Sequence, residues 1–131
     1  MIEVNNLTAI RLDKVFLKKI AEKVLIGENK QGLELSIVLV CQNKIKELNK
    51  KYRRRNKSTD VLSFGYGDSD EIVICLQEIK KNAKKFGSTF KKELVRVLIH
   101  GILHLLGYDH EKSGKEVQIM KKRESHYLSK V

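Results

Sequence analysis

The chain opens with apolar and polar residues in alternation from Ile2 to Val4, the pattern of a short strand. Asp13 stands where a helix cap is needed. Val15, Phe16, Ile20, Val24 and Leu25 then recur at helical spacing, predicting a helix that ends at Gly27 and the polar stretch Glu28 to Gln31. Leu33 to Val40 is rich in β-branched and aliphatic residues and reads as a strand. A basic helix follows over about Lys44 to Arg54, with Ile45, Leu48 and Tyr52 as its narrow apolar face. Val61 to Phe64 and Glu71 to Leu76 are two further strands, separated by the loop Gly65 to Asp70. Gln77 to Phe86 is a lysine-rich helix closed by Gly87, a natural left-handed cap.

Ser88 or Thr89 opens the segment with the strongest pattern. From Leu94 to Leu106 nine of the thirteen residues are aliphatic, so this helix is apolar nearly all round and belongs in the centre of the fold, with Gly107 as its stop. After the turn Tyr108 to Gly114, an amphipathic helix runs from about Lys115 to Leu128, with Val117, Met120, Glu124 and Tyr127 along one side. Strands and helices mix without a regular βαβ alternation. The expected fold is α+β: one domain over residues 1–131, with a small mixed sheet of about four strands packed against the apolar helix.

Composition narrows the picture. A length of 131 residues suits one domain, and the absence of proline and of Gly/Ser-rich stretches leaves no candidate linker. With 27 Lys+Arg against 16 Asp+Glu the formal charge is +11, which favours polyanionic partners such as nucleic acid. The longest nearly apolar run is too short for a bilayer and is broken by Arg96, His100 and His104, so no membrane partner is expected. The start, MIEVNN, lacks the basic and apolar regions of a signal peptide, which predicts a cytoplasmic protein. Cys41 and Cys75 lack C-x-x-C spacing and read as buried free thiols.

Three of the four histidines fall between positions 100 and 110. His100 and His104 are four apart and project from one helix face, so they can share a metal. Gly107 allows the chain to turn back, and His110 can then complete a tripod. The pattern H-x3-H-x2-G-x2-H has the ligand spacing of the metzincin zinc site. Three neutral imidazoles suit one Zn2+ and leave a fourth position for water, as a catalytic rather than a structural zinc requires. A zinc peptidase carries glutamate directly after the first histidine as its base; here that position is Gly101, which cannot accept a proton, so proteolysis is not expected. Asp109 is either a turn former or a partner orienting a ligand imidazole.

These residues carry a family resemblance. His100 to His110 resembles the H-G-x-L-H-L-x-G-Y-D-H signature of the YbeY family of bacterial endoribonucleases. Upstream, Leu48-Asn49 with Tyr52-Arg53, and Thr59 to Phe64, resemble the family's L-N-x-x-Y-R and T-D-V-L-S-F blocks. Ile72 to Cys75 resembles the strand after the family's G-D pair, and Glu93, Met120 and Glu124 fall at family-like positions. The chain departs at Ser58 and Gly65, where prolines are usual, and at Asp70-Glu71 in place of G-D. The resemblance implies a zinc-dependent endoribonuclease specific for single-stranded RNA, acting in rRNA maturation, including the 16S 3′ end, and in ribosome quality control. It implies ribosomal or small-subunit protein partners, His100, His104 and His110 as zinc ligands, and Arg53 as the functional arginine. A metal-dependent hydrolase of another substrate, or a ribosome-associated RNA-binding protein with a structural zinc, would share part of this pattern.

Arginine suits the assigned role because its planar, permanently charged guanidinium clamps phosphate bidentately. Arg54 and Arg55 are either RNA contacts or the solvated end of a helix. Lys80, Lys81, Lys84, Lys85, Lys91 and Lys92 form a second basic patch, either solvated or touching RNA, with Lys84 and Lys85 as its candidate contacts. With four Tyr, four Phe and no Trp, aromatics are too few for a stacking platform of the usual single-strand type. His126 reads as an ordinary surface residue.

Overall fold

The computed structural model describes residues 1–108 and 114–131. The elements run β1 (Ile2–Asn6), α1 (Lys14–Gly27), β2 (Leu35–Val40), α2 (Gln42–Arg53), β3 (Val61–Gly65), β4 (Asp70–Cys75), α3 (Leu76–Lys85), α4 (Phe90–Leu105) and α5 (Gly114–Leu128). The four strands form one mixed sheet in the order β1-β2-β4-β3. β1 and β4 lie parallel to β2, and β3 pairs antiparallel with β4, Val61 opposite Ile74 and Gly65 opposite Asp70. This is the α+β domain that the residue pattern predicts.

The sheet is buried on both faces, and the alternation of side chains along each strand assigns residues to them. Leu35, Ile37 and Leu39 of β2 and Ile72 and Ile74 of β4 join Leu17, Ile20, Val24 and Leu25 of α1 and the aliphatic residues of α4 in the main core. On the opposite face Val40, Leu62, Val73 and Cys75 meet Ile45 of α2 in a smaller second core. The continuously apolar end of β2 follows from this: Leu39 and Val40 each face a core.

α4 is the centre of the molecule, packed against α1, α3, α5, β3 and β4. Thr89 caps it, its hydroxyl accepting from Lys92 N at 3.1 Å, and Gly107 ends it at φ +102, where a side chain would be strained. Leu98, Ile99, Ile102 and Leu103 are fully buried, each worth about 1.5–3 kcal/mol in transfer alone. Gly101 has a packing role. A Cβ there would come within 3.3 Å of Val61 Cγ2 and 3.4 Å of Ile72 Cγ2, so glycine lets α4 lie close on the sheet beside its first histidine.

Two expectations need correction. α2 begins at Gln42, earlier than Lys44, because the Gln77 side chain accepts from Gln42 N and replaces a local cap. Cys41, at that helix start, is exposed rather than buried; Cys75 is buried, and both are free thiols.

Candidate active site

A cleft of about 330 Å3 opens between α4, β3 with the turn before it, and the end of α2. His100, His104 and Arg53 all line it, with Asp60, Ser63 and Arg96. The helical period brings the two histidines to one wall, and Gly101 sets that wall against the sheet. Arg53 comes from the last turn of α2. Its Nη2 donates to the Ser63 carbonyl at 2.8 Å, and its guanidinium lies 5.0 Å from the Phe64 ring centroid, so the cation is held across the edge of β3.

His100 is oriented from behind. Its Nδ1 meets the Glu124 carboxylate of α5 in a short contact, with both side chains largely shielded from solvent. With Nδ1 so engaged, any metal bond from this ring comes from Nε2, the arrangement in which a carboxylate fixes the tautomer of a metal-ligating imidazole. His104 is more exposed and lines the same cleft. Two imidazoles, one carboxylate-backed, are a donor set suited to zinc. Among the described residues no group of three ligating side chains converges. The third expected ligand, His110, and its neighbour Asp109 lie outside the described residues.

Arg96 lines the cleft as one half of an ion pair. Nε and Nη2 donate to the two Glu93 oxygens at 2.9 and 2.7 Å, and Glu93 is buried. Hydrogen bonding to Glu93 raises the Arg96 pKa against the opposing effect of burial, with the Asp60 and Glu124 charges adding to the rise.

The basic candidates separate. Arg54 caps α2 in a left-handed conformation, φ +56, and starts an exposed loop. The buried Asn49 pins that loop: its carbonyl accepts from Arg55 N at 3.3 Å and its Nδ2 donates to Lys57 O at 2.9 Å. Arg54 and Arg55 thus flank the cleft's own arginine. Lys84 and Lys85 are exposed on α3 and do not line the cleft. His126 is exposed, as expected.

A second polar cluster ties the end of α1 to Tyr108 and to α5. Glu28, just past α1, accepts from Tyr108 Oη at 2.7 Å and Arg123 Nε at 3.1 Å, with short contacts to Arg123 Nη2 and Tyr127 Oη. Burial pushes the Glu28 pKa up, but hydrogen bonds from Tyr127, Tyr108 and Arg123 outweigh it and hold the carboxyl below its ordinary range. Burial and then the bond to Glu28 push the Tyr127 hydroxyl up to about 12. Gly27 is required beside it, since a Cβ would sit 2.7 Å from Tyr127 Cε1.

Glu124, Asp60, Ser63 and Arg96 join the site without a role that the sequence pattern predicts. For Glu124 a signal existed: a carboxylate on the apolar side of an amphipathic helix must find a partner. For Arg96 the signal was the i, i+3 pair with Glu93 on an otherwise aliphatic helix. Asp60, just before β3, and Ser63, within it, carry no such mark in spacing or hydropathy.

Comparison with known proteins covers nearly the whole chain. The family profile described as Endoribonuclease YbeY matches residues 3–131. The Endoribonuclease YbeY of Persephonella marina is 43% identical over 118 residues, covering 83% of this chain and 77% of that protein. The one from Aquifex aeolicus is 39% identical over 129 residues, covering 93% and 85%. The solution structure of TM1509 from Thermotoga maritima superposes with a TM-score of 0.73 at 36% identity, covering 98% of this chain and 87% of that one.

Proposed function

The chain belongs to the YbeY endoribonuclease family, and from that membership we propose that it is a zinc-dependent endoribonuclease that cuts single-stranded RNA. Its setting in this reading is rRNA maturation, including the 16S 3′ end, and ribosome quality control in the cytoplasm, with the ribosome or small-subunit proteins as partners. The observation that supports the reading best is the convergence of His100, His104 and Arg53 on one cleft of a chain with charge +11. No helix among the described residues is long and apolar enough to cross a membrane.

His100, His104 and His110 would hold the ion. The chemistry zinc supplies when bound is Lewis acidity at a phosphoryl oxygen and acidification of water. The chain's own residues do the rest. Glu124 holds the His100 ring in one tautomer and orientation. Arg53, anchored on Ser63 O, offers donors to the scissile phosphate and offsets the charge that grows on it. Arg96 is held at the wall with its charge largely balanced by Glu93, which keeps it from competing freely for phosphate. Gly101 leaves no side chain where a peptidase keeps its base.

The test is removal and return of the metal. Chelator-treated protein should lose cleavage of single-stranded RNA and regain it with zinc, with duplex RNA and peptide substrates uncut throughout. Equal cleavage with and without chelator would overturn the metal dependence, and cleavage of peptide would overturn the substrate class.

A further inference from the structure

Three of the chain's eight phenylalanine and tyrosine rings gather on one strip beside the cleft. Tyr52 precedes Arg53 on α2; Phe64 and Tyr66 are two apart along β3 and its continuation, so they fall on one side of the strand. Tyr52 and Phe64 meet edge to face with centroids 5.4 Å apart, and Phe64 and Tyr66 are near parallel at 6.4 Å. Phe64 roots the strip in the second core, whereas Tyr52 and Tyr66 are 52% and 61% exposed. Exposed rings in a row stabilise the fold little and point to a ligand.

The charges around the strip say which ligand. The Lys51 ammonium lies 5.2 Å from the Tyr52 centroid, and the Arg53 guanidinium stacks on Phe64. Arg54, Arg55 and Lys57 follow on the pinned, exposed loop. Rings interleaved with cations suit a strand of bases on a phosphate backbone. At the far end the surface reverses sign: Tyr66 borders a depression lined by Glu3, Glu34, Asp70 and Glu71. A polyanion is kept from running on past Tyr66 into that depression and is directed towards Arg53, which belongs to both strip and cleft.

We infer that Tyr52, Phe64 and Tyr66, with the Arg53 plane, form a stacking subsite for the unpaired nucleobases of RNA whose phosphate lies in the cleft. This rests on the RNA-cleaving reading and deepens it. The rings are few, as composition indicates, but the fold gathers three of them beside the cleft. The subsite also gives selectivity a physical source, because bases stacked within a duplex cannot splay onto protein rings.

The test uses chelator-treated protein, so that nothing is cleaved, and two probes: a short single-stranded oligoribonucleotide and the same length bearing abasic sites. The wild type should bind the base-bearing probe more tightly. That probe should also quench tyrosine fluorescence, which no tryptophan obscures, while the abasic one does not. The double variant Tyr52→Ala/Tyr66→Ala should weaken the base-bearing probe about tenfold or more and leave the abasic probe unchanged. Tyr52→Phe/Tyr66→Phe should restore binding, since the ring rather than the hydroxyl stacks. Equal wild-type affinity for the two probes, without quenching, overturns the subsite while the RNA reading stands. A parallel loss of both probes in the alanine variant overturns it in favour of a general charge or folding effect. Failure of the wild type to bind either probe overturns the RNA reading and the subsite together.

Discussion

Glu124 and Arg53 have separable roles in the proposed reading, Glu124 through the His100 ring that it contacts and Arg53 through the phosphate that it would meet. Glu124→Gln keeps the shape but loses the charge that fixes His100. We expect zinc affinity to fall by about 10–100-fold, measured by competition with a chromophoric chelator, with an unchanged circular dichroism spectrum; unaltered affinity would remove Glu124 from the site. Arg53→Ala should keep its zinc and lose about 10²-fold in kcat, so loss of metal there would contradict its assignment to the phosphate. At this scale the sequence was legible where spacing itself carries chemistry, as with His100 and His104. It was illegible where a role depends on a partner brought from elsewhere: nothing near Glu124 in the chain announces that α5 will cross the face of α4 at His100.

Among the elements, α4 was legible because nine aliphatic residues in thirteen leave it nowhere to lie but the centre. The start of α2 was not, because its first amide is satisfied by Gln77 from a distant helix. The Glu28 cluster is likewise a long-range assembly, tying the end of α1 to Tyr108 and to Arg123 and Tyr127 of α5. Glu28→Ala strands those donors and should cost about 2–3 kcal/mol, discounted because Arg123 is partly exposed. Since α5 carries Glu124, zinc affinity should fall with it. Chemical denaturation of the variant tests both; a loss under 0.5 kcal/mol, about the spread of ordinary surface changes, would contradict the staple. The pH dependence follows by sign. The Glu28 pKa is depressed on folding, so its contribution is present above the ordinary value of 4.5 and is lost as pH falls below it. The Tyr127 pKa is raised, so its contribution is full below 10.0 and is lost as pH rises through about 12. Thermal melts across both limbs should show Glu28→Ala flattening the acid limb and Tyr127→Phe the alkaline one.

For the whole molecule, charge +11 becomes informative only once it is placed. The sequence shows basic runs but not which of them borders the cleft, since that depends on α2 delivering Arg53 across β3 while α3 carries Lys84 and Lys85 elsewhere. Salt titrations of single-stranded RNA binding should therefore lose slope by about 0.7 per contact removed in Arg54→Ala/Arg55→Ala and keep it in Lys84→Ala/Lys85→Ala. The reverse order would move the RNA path to α3. In the proposed reading the histidines of α4 hold the zinc on which cleavage depends. The most direct test of that reading is His104→Ala, with bound zinc and single-stranded RNA cleavage measured on the same purified sample. His104 is exposed, so the fold should persist while zinc and cleavage are lost together; a folded variant that cleaves RNA at the wild-type rate would contradict the account.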